Sequence, residues 1–116
     1  QQSSRRARER EAEYMLMAAE ARREDARARA TGELGIAWSM YAQGRETLRL
    51  LEHTLLPQAQ ATRDASQAAL SSGKVDFDSV IEAERQLIDI RTQRLKAELD
   101  TRLALTEIKK LTGDLK

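Results

Sequence analysis

Apolar side chains recur along this chain every three to four positions, and the spacing closes on seven. Leu34, Tyr41, Leu48 and Leu55 form one row, and Ala37, Gly44 and Leu51 form a second. After a break the rows resume: Val80, Leu87 and later Ile108 in one, Ala83, Ile90, Ala97, Ala104 and Leu111 in the other, with Arg94 and Thr101 interrupting. A seven-residue repeat of this kind is the seam of a helix paired with another helix, not the period-two pattern of a strand. The break is "SSGKVDFDSV", residues 71–80. Gly73 can enter the left-handed region cheaply and end a helix, with Ser71 and Ser72 supplying local hydrogen bonds. Asp76 or Asp78 can accept from the free amides of a following helix, and Ser79 with Glu82 has the spacing of a capping box. The pattern therefore predicts a helix over about 4–71, a turn over 72–78 and a second helix over about 79–112. Gly32, Gly35 and Gly44 are tolerable inside the first helix, and Pro57 is expected to bend it. "LTGD", with Lys109 and Lys110 in the preceding turn, is the expected stop of the second.

Length then separates the two arms. Folding at Gly73 to Asp76 brings Gly113 near the stretch from Gly35 to Ala37 and leaves everything before Leu34 without a partner. At about 1.5 Å per residue the first arm is about 100 Å long and the second about 50 Å, an overhang of about 45 Å. That overhang carries "EYMLMAAEA", whose Tyr14, Met15, Leu16 and Met17 would each gain about 1.5–3 kcal/mol only when covered. The second arm adds Ile81, Ile88, Leu95 and Leu99 beside its seam. The expected fold is all-α, a long antiparallel two-helix coiled-coil hairpin with unequal arms, with apolar surface left for other helices.

Charge and composition remove function classes. Twenty Lys and Arg against nineteen Asp and Glu leave a net charge of +1, so no strong field recruits nucleic acid. The runs "RRARERE" and "EARREDARARA" interleave both signs at helical spacing, as a solvated helix face does. With no Cys there is neither a disulfide framework nor a thiolate site. No apolar run reaches spanning length, and the basic start has no apolar stretch behind it, so neither a spanning helix nor a signal peptide is expected among these residues. His53 has no second His or Cys to complete a metal site, and no metal or cofactor is expected. Trp38 and Tyr41, one turn apart, read as packing. No Ser-His-acid set, Gly-rich phosphate loop or carboxylate pair in a pocket is present, so no enzyme activity is expected.

Taken together, "LLPQAQATRDASQAALSSGKVDFDSVIEAERQL" and "LALTEIKKLTGDL" resemble the second-repeat periplasmic hairpin of the TolC-like outer-membrane efflux channels of Gram-negative bacteria. The resemblance covers essentially the whole chain and rests on the joint spacing of LLP, the Gly turn, "VIEAERQL" and the terminal LTG. It implies a homotrimer whose helical hairpins form a periplasmic tunnel, continued by a β-barrel in the outer membrane. The turn would be the periplasmic tip, at which Gly73, Lys74, Val75, Asp76 and Phe77 dock the adaptor (membrane fusion) protein of a tripartite pump, itself joined to an inner-membrane pump. Ser79 and Glu82 match positions at which the family places acids near the tunnel constriction; Glu82 keeps one and Ser79 does not. Asp78, Ser79 and Glu82 are thus the expected pore and gate residues. The alternative is a free-standing coiled-coil scaffold or an RNA-contacting helical arm. A gene encoding a signal peptide and short strands before Gln1 favours the channel. The isolated chain is expected to self-associate through its exposed seam.

Overall fold

The computed structural model describes residues 1–114, helical throughout except at Gln1 and the turn 72–76. Helix α1 spans Gln2–Leu50, a π-helical turn covers Leu51–Leu55, α2 spans Leu56–Ser71, and α3 spans Phe77–Asp114. The three helices make a hairpin 103 × 22 × 13 Å, with α1 and α2 as one arm and α3 as the other. No helix among the described residues is long and apolar enough to cross a membrane.

The seven-residue rows are the seam. Ala37, Leu51, Val80, Ala83, Leu87, Ala97, Ala104, Ile108 and Leu111 are buried, and Leu34 and Tyr41 pack against the Ala37, Ile108 and Leu111 cluster. Trp38, 52% exposed, meets Tyr41 edge to face at 5.9 Å, and the Arg45 guanidinium lies over the Tyr41 ring, which itself packs on the seam.

The two residues that interrupt the rows are accommodated differently. Thr101 is buried, and its hydroxyl donates to the Ala97 carbonyl at 2.7 Å, so no polar atom is left unpaired. Its bulk is admitted by Gly44 opposite. A Cβ at position 44 would lie 3.2 Å from the Thr101 Cβ and 3.4 Å from its Cα, and would collide with the hydroxyl oxygen. Gly44 is therefore a packing residue, the hole for a threonine knob. Arg94 stays half-exposed, and its Nε reaches a Glu52 carboxylate oxygen across the seam at 3.2 Å.

The first arm is helical from Gln2 to Ser71, as expected, but not α-helical throughout. Pro57 has no amide to offer the His53 carbonyl, and its ring crowds that carbonyl. The chain answers one turn earlier: the Leu56 amide bonds to Leu51 O, five residues back, and Leu51–Leu55 widens into a π-turn. Pro57 then sits in the first turn of α2, where a missing amide costs least. At the far end α3 continues through Gly113, which does not adopt positive φ, to Asp114, so the expected stop at "LTGD" is not used. Leu115, expected just beyond that stop, lies outside the described residues.

The overhang is as the lengths required. Tyr14, Met15, Leu16 and Met17 are 61–68% exposed, with no other helix of the described residues covering them. Ile36, Met40, Ile88, Leu95, Leu99 and Leu103 are likewise more than half exposed on the paired part of the rod.

Candidate docking tip and the two sides of the hairpin

The turn is built by two caps. Ser72 ends α2, the Gly73 amide bonds to Leu70 O at 3.0 Å, and the Lys74 amide bonds to Ala69 O at 2.8 Å. This pair of bonds is a Schellman closure, which needs a left-handed residue, and Gly73 supplies φ of 71°. Ser71 and Ser72 donate their hydroxyls back to Gln67 and Ala68 carbonyls.

The second cap corrects the expected helix start. Asp76 is the residue before α3, and its Oδ1 accepts from both the Ser79 amide at 3.0 Å and the Ser79 hydroxyl at 2.9 Å. The helix thus begins at Phe77, inside the segment expected as turn, because Asp76 reaches the free amide three residues on. Those bonds, the backbone one first, hold the Asp76 carboxyl below its usual 3.8. The Ser79 and Glu82 capping box does not form: Ser79 donates to Asp76, and Glu82 Oε1 accepts from Gln86 Nε2 at 3.4 Å.

Between the caps, Val75 is half-buried against the hairpin and Lys74 is exposed. Phe77 is 62% exposed, in the first turn of α3. An aromatic ring held outward by a capped turn gains nothing from its own chain, so its apolar area is open to a partner. Asp78 and Glu82 are exposed and four residues apart, hence on one face of α3 just above the tip. Gly73 to Phe77 form one compact tip, whereas Ser79 is committed to the cap.

Above the tip the hairpin has two unlike long sides. One carries the ion pairs that cross the seam. Arg63 reaches Glu84 at 3.7 Å and Arg94 reaches Glu52 at 3.2 Å, while the Gln67 Nε2 donates a hydrogen bond to Glu84 Oε1 at 3.3 Å. The Asp64 carboxylate, hydrogen-bonded to the Arg63 Nε at 2.8 Å, and then Glu84, push the Arg63 guanidinium above its ordinary value.

The other side carries grooves. One is lined by Gln58, Thr62, Gln86 and Asp89, a second by Met40, Gln43, Thr47 and Asp100, and a third, about 310 Å³, by Glu33, Ile36, Met40, Asp100, Leu103 and Glu107. Glu84 and Gln86 are two residues apart, about 200° around the helix, which places ion pairs and grooves on opposite sides of the seam. Charged residues lining the three grooves are Glu33, Asp89, Asp100 and Glu107, and no Lys or Arg is among them. Sequence reading had no reason to single out these acids. They flank the heptad rows, a relation visible only once the partner of each row is known. Among the described residues no group of three His, Cys, Asp or Glu could hold a metal.

Comparison with family models, with curated proteins and with solved structures finds no match to this chain.

Proposed function

We propose that this chain is a periplasmic tunnel segment of a trimeric outer-membrane efflux channel in a tripartite export pump. The turn docks the periplasmic adaptor, and the acids above it contribute to the tip gate. The observation that carries the reading is apolar surface along an unaccompanied rod. The Tyr14–Met17 run and the Ile88, Leu95 and Leu99 stripe are open together on a hairpin that has no second layer of its own. Such a rod is stable as one stave among many, and neighbouring helices of the same tunnel supply the cover. The joint spacing of LLP, the Gly turn and the terminal LTG points the same way.

Under this reading the Schellman closure and the Asp76 cap hold the tip rigid, so that docking costs little ordering entropy. Phe77 and Val75 supply the apolar contact, Lys74 and Asp76 its charged surroundings. Asp78 and Glu82 face the pore and favour cations; Ser79 takes its place at the constriction without a charge. No bond is made or broken.

Replacing Val75 and Phe77 together by alanine is expected to lower adaptor capture, measured by crosslinking in cells that express the whole gene, by about tenfold, the loss of about 1.4 kcal/mol. Neutralising Asp78 and Glu82 in the same background lowers the cation preference of single channels. Unchanged capture and export after the first change removes the docking role; unchanged ion preference after the second removes the gate role. The isolated chain self-associates through its open apolar faces, and light scattering on a sizing column should give a mass above the monomer. A strictly monomeric helical hairpin at high concentration counts against the stave reading.

A further inference from the structure

The groove floored by Ile36, Met40 and Leu103 has a counterpart on the overhang, a shallow groove lined by Ala7, Arg10, Glu11, Tyr14, Met15 and Ala18. Ala18 and Ile36 differ by about five helical turns, so the two grooves open on one side of the first arm. Each holds apolar side chains more than half exposed: Tyr14 and Met15 in one, Ile36, Met40 and Leu103 in the other. Between them the same side carries Ala21, Arg22, Asp25, Arg29, Gly32 and Glu33. A glycine inside a helix is unfavourable relative to alanine, and a Cβ at Gly32 would meet nothing within 4 Å, so packing within the chain gives no reason for it. On an open helix face a small residue lets a second helix come close.

One arrangement fits both grooves at once. When a second copy lies antiparallel on this side, with facing residue numbers summing to about 54, Tyr14 comes opposite the partner's Met40 and Ala18 opposite the partner's Ile36, a small residue under a large one. Arg22 then faces the partner's Gly32, which leaves room for its stem, with the partner's Glu33 beside it, and Asp25 faces the partner's Arg29. A two-fold axis repeats every contact. Arg22, Asp25, Arg29 and Glu33 are exposed and make no ion pair among the described residues. On α3, Lys96 and Lys110 balance Asp100 and Glu107, so the choice of register falls to the first arm. Other registers fail there: slipping one heptad sets Ile36 on Glu11 in one direction and on Asp25 in the other, and a parallel pair in register sets each charge against itself. Side-chain size, apolar area and charge thus select the same register.

We infer that this side of the first arm is a homodimer interface, in which two copies pair antiparallel about an axis level with Arg27 and each overhang lies in the other's groove between α1 and α3. Each end of the dimer becomes three helices, which supplies the second layer that the hairpin lacks. The middle, level with Asp25 and Arg29, is two helices open to water. Covering Tyr14, Met15, Ile36, Met40 and Leu103 of both copies removes on the order of 1,000 Å² of surface, and the small residues and arginine stems between them bring the contact into the size range of a specific interface. The inference gives the self-association of the isolated chain a geometry, and it rests on the chain's own faces, not on the channel reading.

The chain has no Cys, so introduced thiols report the register. Ala18→Cys combined with Ile36→Cys is expected to oxidise to a covalent dimer, because the two positions face each other between copies, while along one helix they stand about 27 Å apart, beyond the reach of a disulfide. Either change alone should give no cross-link, since like positions of the two copies are equally far apart. Charge is tested separately, by analytical ultracentrifugation. Asp25→Arg and Arg29→Asp should each weaken the homodimer by about tenfold, a size suited to two solvent-screened pairs turned repulsive, and their equimolar mixture should form a heterodimer of about wild-type strength, with helicity by circular dichroism unchanged throughout. Pairing of Asp25 with Arg29 within one helix cannot produce that preference. A monomer at high concentration, single-Cys variants that cross-link as readily as the double one, an associated double variant that does not cross-link, or a mixture with no preference for the heterodimer would each overturn the proposal. Association without this register would overturn it and leave the stave reading standing. A dimer of this register, from a gene whose whole product fails to capture an adaptor, would uphold it and remove the channel reading instead.

Discussion

Leu87→Ala should lower the stability of the hairpin by about 2–3 kcal/mol, the lower part of the range for truncating a buried leucine. Leu87 is 0% exposed, the largest side chain so enclosed among the described residues. Around it the seam is made of small or half-open residues, among them Ala83 on the same helix. These cannot swing in to fill the space a leucine vacates, so the transfer free energy and part of the cavity term are both lost. A two-helix seam is thin, and water reaches a defect more easily than in a globular core, which keeps the cost from the upper end. Leu95→Ala is the internal control. Leu95 is 66% exposed on the same helix, and its truncation in the monomer should fall within about 0.5 kcal/mol of wild type. Urea unfolding followed by circular dichroism distinguishes the two. Equal effects would mean that the helices do not hold together along this seam.

The second large effect is expected at Gly44. Alanine in place of a mid-helix glycine ordinarily stabilises by about 1 kcal/mol. Here its Cβ enters space held by Thr101, whose hydroxyl is tied to Ala97 and whose branched Cβ restricts its rotation. Relief requires the helices to part or Thr101 to give up its bond, so Gly44→Ala should be net destabilising by about 1–2 kcal/mol through overpacking. Gly44→Leu should cost about 3 kcal/mol or more and open the hairpin at this level. Thr101→Ala in the Gly44→Ala background removes the clash and frees the helix propensity of alanine, so the double variant should be at least as stable as wild type. A double-mutant cycle gives the coupling directly. Additive effects of the two changes would show that positions 44 and 101 do not meet.

The seam on which both predictions lie was legible in the sequence, although the Gly44–Thr101 pairing was not. Heptad spacing depends only on the order of apolar residues, and burial of Ala37, Leu51, Val80, Ala83, Leu87, Ala97, Ala104, Ile108 and Leu111 follows from it. The unequal arms were equally legible, since a glycine turn at 73 leaves the first arm longer than the second by arithmetic. The turn was legible too, because Gly73, the two serines and the nearby aspartates are local signals read within one turn of chain.

What only the tertiary structure decided has a common cause, the need to satisfy two helices at once. Sequence alone places Asp76, Asp78 and Ser79 as rival caps, and the geometry of the incoming chain selects Asp76. Sequence places a proline in a helix, and a π-turn, not a simple bend, absorbs it. Thr101 and Arg94 look like faults in a repeat until Gly44 and Glu52 are found facing them. The acid-rimmed groove belongs to neither arm: Glu33, Ile36 and Met40 come from one, Asp100, Leu103 and Glu107 from the other. The order of residues along a strip fixes which face of each helix is buried. The register between strips fixes which exposed residues become neighbours, and register is set by packing across the seam, a quantity that no stretch of either helix contains.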